Sequence, residues 1–111
     1  MKRVFKFYAY KTLMERPYER LKRKILVENL WLFILQLLKE KDYYGLGIRK
    51  TIKEKFGFWL GNVTAYKVLY FLEKGRYVSS FMKGNIKYYK ITEKGKKEMA
   101  EAERFLKSLV K

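Results

Sequence analysis

A chain of 111 residues with 27 Lys and Arg against 11 Asp and Glu carries a formal net charge of +16, and its length suits a single domain. Apolar residues make up 49% and aromatic ones 18%, which is enough to build a core, so disorder of the whole chain is excluded despite the charge. The lack of Cys and His removes disulfide frameworks, the usual zinc ligand sets and imidazole-dependent triads, so no metal, cofactor or enzymatic activity is expected and binding to a polyanion becomes the leading option.

The N-terminal 24 residues hold nine bases and two acids around Val4, Phe5, Phe7, Tyr8 and Tyr10. They form a basic aromatic extension, too apolar for a free tail, that is expected to pack on a partner or on the first helix with its lysines outward. No cleavage site follows Met1-Lys2-Arg3. The longest greasy run, residues 25–38, is shorter than the ~20 residues a bilayer span needs. A cytoplasmic, nucleoid-associated protein without a membrane partner is expected, and the single glutamine, Gln36, hints at a thermophile.

Pro17 suits the first turn of a helix entering the next region. Residues 25–40 predict a helix that is apolar almost all round, with Ile25, Leu26, Leu30, Phe33, Ile34, Leu37 and Leu38 on one side and Val27, Trp31, Leu32 and Leu35 on the other. Such a helix has to be covered on both sides. Tyr43-Tyr44-Gly45-Leu46-Gly47 then punctuates the chain, and Ile48, Ile52 and Phe56 recur every four residues to a stop at Gly57, which defines a second helix. Asn62 is the expected N-cap of a third helix running to Lys74 and closed by Gly75. It has Ala65, Leu69 and Leu72 on one stripe and Val63, Thr64, Lys67, Tyr70 and Phe71 opposite.

Between Tyr77 and Ile91 the pattern turns to β, with Lys83-Gly84-Asn85 as a hairpin turn. Thr92 caps a last helix whose Met99, Ala102, Leu106 and Leu109 form the seam of a helix pair. The fold class is mainly α with a small β-hairpin: a winged helix-turn-helix over residues 25–91, a C-terminal dimerisation helix over 92–111 and the extension over 1–24.

Several of these runs resemble the PadR-like winged-helix transcriptional regulators, over roughly residues 26–98. They are the apolar stretch from Leu30 to Leu38, the Tyr44-Gly45 step, Thr64-Ala65-Tyr66 with Leu69 and Leu72, and Lys87-Tyr88-Tyr89-Lys90-Ile91-Thr92-Glu93-Lys94-Gly95. The resemblance implies a homodimer held by C-terminal helices, with control of transcription as its task. Leu72-Glu73-Lys74-Gly75-Arg76 departs from the family, which ends its third helix in Leu-Glu-Lys-Lys-Gly, so the helix-to-strand corner is expected to change. The resemblance also brings in flat aromatic effectors, for which Trp31 and Trp59 would be the pocket.

On double-stranded DNA, the third helix would offer Asn62, Thr64, Tyr66, Lys67 and Tyr70 to the major groove. It has no Arg or Gln for strong base readout, so a modest A·T preference is expected. Arg49, Lys50 and Lys53, with Lys83, Asn85 and Lys87 on the wing, would meet the backbone. Excess charge favours these parts, since residues 61–91 hold six bases and one acid. Two rival functions compete: an architectural protein that coats DNA by charge alone, and an RNA-associated protein, against which the hairpin shows no stacking platform.

Overall fold

The computed structural model describes residues 15–110. Expectations for residues 1–14, the apolar positions of the basic extension among them, lie outside the described residues. The chain divides into two compact units, residues 1–30 and 31–111.

In the first unit, Arg16 is extended (φ −61°, ψ 145°) and Pro17 opens helix α1, Pro17–Glu28, at the position where a missing N–H costs nothing. Lys24 pairs with Glu28 at 2.8 Å one turn on, and Arg23 with Glu15 at 3.0 Å. The continuous helix expected over 25–40 is interrupted: Asn29 leaves helical geometry (φ −125°, ψ 37°) and a new helix, α2, Leu30–Glu40, begins after it. An Asn side chain competes for local backbone groups and tolerates such breaks, whereas apolar periodicity runs through the position unchanged.

In the second unit, Leu32, Ile34, Leu35, Leu37 and Leu38 of α2 are all buried, as a helix apolar on every side requires. A two-residue strand follows, β1, Tyr43–Tyr44, and then α3, Gly45–Phe56, closed by left-handed Gly57 (φ 80°). Helix α4, Asn62–Lys74, comes next. Its N-cap is Gly61, extended at φ −63° and ψ 150°, and not the expected Asn62, which is already the first helical residue. Gly61 can adopt an N-cap conformation too, so composition alone does not choose between neighbours. Ala65, Leu69 and Leu72 of α4 pack inward with Ile48 and Ile52 of α3.

Strands β2, Val78–Lys83, and β3, Ile86–Ile91, are joined by Gly84 and Asn85. Gly84 has φ 64° while Asn85 stays at negative φ, the pattern of a II′ hairpin turn, whose twist suits the strands it joins. The sheet has three strands rather than the expected two, in the order β1-β3-β2, because Tyr43 pairs with Tyr89 and Tyr44 with Tyr88. A pair of residues is too short to show a period of two. Val78, Tyr89 and Ile91 point to the core, and helix α5, Glu93–Ser108, leaves the sheet directly.

The corner between α4 and β2 is closed by two hydrogen bonds, Arg76 N to Glu73 O at 3.0 Å and Tyr77 N to Leu72 O at 2.9 Å. This is the Schellman arrangement, which calls for a left-handed residue, and Arg76 supplies it at φ 64°. The expected change of corner is therefore a change of residue: arginine occupies the strained position, while Gly75 before it is right-handed.

Candidate nucleic-acid interface

The turn from α3 to α4 is fixed by Arg49. Its Nε donates to the Leu60 carbonyl at 2.8 Å and its guanidinium lies 4.6 Å from the Trp59 ring centroid. Arg49 thus spends one donor and one face on positioning α4. Lys53 donates to the Gly57 carbonyl at 3.3 Å, capping α3, and Lys50 is exposed.

On α4 the outward face carries Asn62, Val63, Thr64, Lys67 and Tyr70, all exposed, with Val63 at 82%. Three amide N–H groups, those of Asn62, Val63 and Thr64, precede the first helical bond from Ala65 N to Gly61 O, so the positive end of the helix dipole is presented on this side. Tyr66 is half structural: its ring lies against the start of α3, where a Cβ on Gly45 would come within 2.8 Å of its hydroxyl. Tyr70 meets Phe71 edge-on at 5.7 Å, and the Lys74 ammonium lies 5.8 Å from its ring.

Glu73, the one acid of α4, is engaged by the wing. Its carboxylate accepts from the Ser80 hydroxyl on β2 and from Lys87 Nζ on β3 at 3.1 Å. These bonds hold its pKa below the usual carboxylate range, the Ser80 bond most strongly, and raise that of Lys87. Lys87, expected to meet the backbone, stands in an ion pair with Glu73 that braces the wing against α4. Lys83 remains exposed, 5.7 Å from the Tyr88 ring, and Asn85 is exposed in the turn.

The C-terminal seam divides. Met99 is 2% exposed and belongs to the core, Ala102 is half-buried, and Leu106 and Leu109 are exposed, Leu109 at 63%. Phe105, exposed and within the same arc of α5, was missed by the spacing of three and four, which picks one residue per turn.

Trp31, Val68, Phe71, Leu72, Tyr77 and Glu98 line a cavity of about 360 Å³. Trp59 is not among them, being 52% exposed beneath Arg49, so the pocket expected from the two tryptophans does not form around both. Among the described residues no helix is long and apolar enough to cross a membrane.

A three-helix unit with its third helix outward, followed by a two-stranded wing, defines a winged helix-turn-helix protein. The sequence model of the PadR-like transcriptional regulator family matches residues 34–101, more than half of the chain, and the chain belongs to that family, whose members are transcriptional regulators and not enzymes. No curated protein matches the sequence. Among solved structures, a transcriptional regulator from Clostridium thermocellum is 27% identical, with a TM-score of 0.67 over 79% of this chain and 96% of that one. A PadR family regulator from Clostridium difficile is 28% identical, with a TM-score of 0.65 over 71% and 91%. PadR from Bacillus subtilis, solved in complex with operator DNA, is 25% identical, with a TM-score of 0.58 over 65% of this chain and 45% of that one.

Proposed function

We propose that this regulator binds duplex DNA as a homodimer, with α4 in the major groove and the β2–β3 wing on the flanking backbone. The observation that carries the reading is the outward face of α4, where Thr64, Lys67 and Tyr70 stand exposed on a helix whose only acid is sequestered against the wing. Asn62, Thr64 and Tyr70 supply single hydrogen bonds to base edges, and Tyr66 reaches the groove with its free side. Lys50, Lys53, Lys83 and Asn85, the remaining donors of Arg49, and the first amides of α4 serve phosphates, while Lys87 acts mainly through the ion pair. Ala102, Leu106 and Leu109, joined by Phe105, form the dimer contact. A flat aromatic effector would enter the cavity beside Trp31. As a DNA regulator the protein works in the cytoplasm, on the nucleoid.

An architectural role is the second reading, favoured by the absence of Arg and Gln from α4. Selection of bound fragments from genomic DNA at two salt concentrations separates the two. A two-fold symmetric motif with half-sites about one helical turn apart supports the dimeric regulator, and fragments without a shared motif sink it.

A further inference from the structure

The antiparallel register puts Tyr44, Phe81 and Tyr88 on the face of the sheet opposite to Val78, Tyr89 and Ile91. One ring comes from each strand. Tyr88, on the central strand, lies 5.8 Å from Phe81 with 20° between ring planes, and 5.6 Å from Tyr44 with 55° between them. At the inner end the stack is seated against α3, since a Cβ on Gly47 would come within 3.1 Å of the Tyr44 ring. At the outer end it stops at Phe81, which is 40% exposed on the edge strand β2. Edge strands ordinarily carry polar or charged side chains at such positions, and the core face already has its own aromatic in Tyr89.

On the strands themselves, the charges that share the face of the rings have one sign. Lys83 and Lys90 share this face and are exposed, Lys83 lying 5.7 Å from the Tyr88 ring. None of the positions that the strands direct to this side is acidic. An aromatic stack with an open end, flanked by lysines, has the chemistry of surfaces that hold unpaired bases: rings continue the stack without regard to base identity, and ammonium groups follow the phosphates. A stacked duplex offers no free base face to such a platform. The hairpin, which by its sequence shows no stacking platform, gains one once β1 contributes Tyr44.

We propose that the outer face of the wing sheet binds single-stranded DNA, with an unpaired base stacking on Phe81 as the next ring after Tyr44 and Tyr88, and Lys83 and Lys90 on its phosphates. This surface is distinct from the outward face of α4; it shares Lys83 with the duplex reading but does not need that reading to hold. It gives the protein a second mode, in which it engages melted or unpaired DNA.

The test compares the full chain with Phe81→Ala and Phe81→Trp, using anisotropy of labelled oligo-dT, oligo-U and a dA·dT duplex, each of about 15 nucleotides. Phe81→Ala is expected to weaken oligo-dT binding about tenfold while the duplex changes less than twofold. Phe81→Trp restores the affinity, and its added emission is quenched by oligo-dT and not by the duplex. Circular dichroism of both variants confirms the fold. Unchanged oligo-dT affinity in Phe81→Ala, an equal loss on strand and duplex, an unquenched Trp, or tighter binding of oligo-U than of oligo-dT overturns the proposal. Failure of the parent protein to bind the duplex, with oligo-dT still bound, counts against the α4 reading alone.

Discussion

Gly95 in the first turn of α5 sits directly on the backbone carbonyl of Tyr77: a Cβ at Gly95 would fall deep inside contact distance of that oxygen and 2.9 Å from Ile91 Cγ1. The same corner is tied by Thr92, whose single Oγ1–H is shared between the carbonyls of Arg76 and Tyr77, at 2.7 and 3.0 Å from Oγ1, and whose Oγ1 accepts from Gly95 N at 3.1 Å. Lys94 adds a bond to the Gly75 carbonyl at 2.7 Å. The run Thr92-Glu93-Lys94-Gly95, the end of the family-like stretch that starts at Lys87, is therefore a clamp that sets α5 against the end of α4. Gly95→Ala raises helix propensity by about 1 kcal/mol, but crowds backbone that cannot retreat without breaking the clamp. A net loss of about 1–3 kcal/mol is expected in urea unfolding, and a variant as stable as the parent would refute the close approach.

Arg76 holds a left-handed conformation in the position where a Schellman corner ordinarily has glycine. A non-glycine residue there costs about 1–2 kcal/mol, part of which Arg76→Gly recovers before the added freedom of the unfolded chain is subtracted. We expect Arg76→Gly to stabilise the protein by about 0.5–1 kcal/mol, read as a raised denaturation midpoint with unchanged m-value. Gly75→Ala, by contrast, brings a Cβ within 2.6 Å of the Tyr77 ring and is expected to lower the midpoint.

The brace between Glu73 and the wing has a defined pH window. Glu73 is held below its ordinary value of 4.5, so its contribution is complete above that pH and is lost as pH falls through the lowered pKa. Lys87 is held above 10.5, so its contribution is complete below that pH and is lost as pH rises through the raised pKa. Both are in force at neutral pH. The pair is partly exposed, with side-chain accessibilities of 33% and 48%, and solvent screens it accordingly. Glu73→Gln should cost about 0.5–1 kcal/mol at pH 7, and the gap to the parent should close on acidification below the carboxylate range. A gap independent of pH would show that the carboxylate charge is not what braces the wing.

Sequence reasoning recovered what repeats over several turns and lost what one residue or one contact decides. Ala65, Leu69 and Leu72 declare a buried stripe because three residues agree, and Gly57, Gly84 and Thr92 each mark a boundary through their own chemistry. The break at Asn29 and the shift of the N-cap from Asn62 to Gly61 turn on one residue where neighbours are nearly equivalent. Strand β1 exists only because β3 is there to pair with it. Among the candidate site residues, exposure of the α4 face follows from the stripe opposite. The commitments of Arg49 to Leu60 and of Lys87 to Glu73 join residues 11 and 14 positions apart, and no local pattern encodes them.

The division of the α5 seam separates folding from association. Met99, buried in the protomer, should behave as a core residue: Met99→Ala costs about 2–5 kcal/mol and leaves the oligomeric state of the folded fraction unaltered. Leu109, exposed, contributes little to the protomer. Leu109→Glu places a charge in the proposed dimer contact and should convert dimer to monomer in sedimentation velocity with little change in helicity. Retention of the dimer by Leu109→Glu would move the contact elsewhere.

The salt dependence of duplex binding distinguishes lysines that meet phosphate from those already paired. Each phosphate neutralised adds about 0.9 to the slope of log K against log salt, so Lys67→Ala and Lys83→Ala should each reduce the slope by about that amount, uniformly over DNA sequences. Among the described residues neither lysine forms an ion pair, so its charge is available. Lys87 differs, because Glu73 stands 3.1 Å from it. The double variant Glu73→Gln with Lys87→Gln changes no net charge and removes a pair whose fields largely cancel at the distance of a phosphate. Its slope should match the parent's even though its wing is less firmly held. A slope reduced as much as by Lys83→Ala would mean that Lys87 leaves Glu73 for the DNA backbone on binding, and would return it to the phosphate-contacting set.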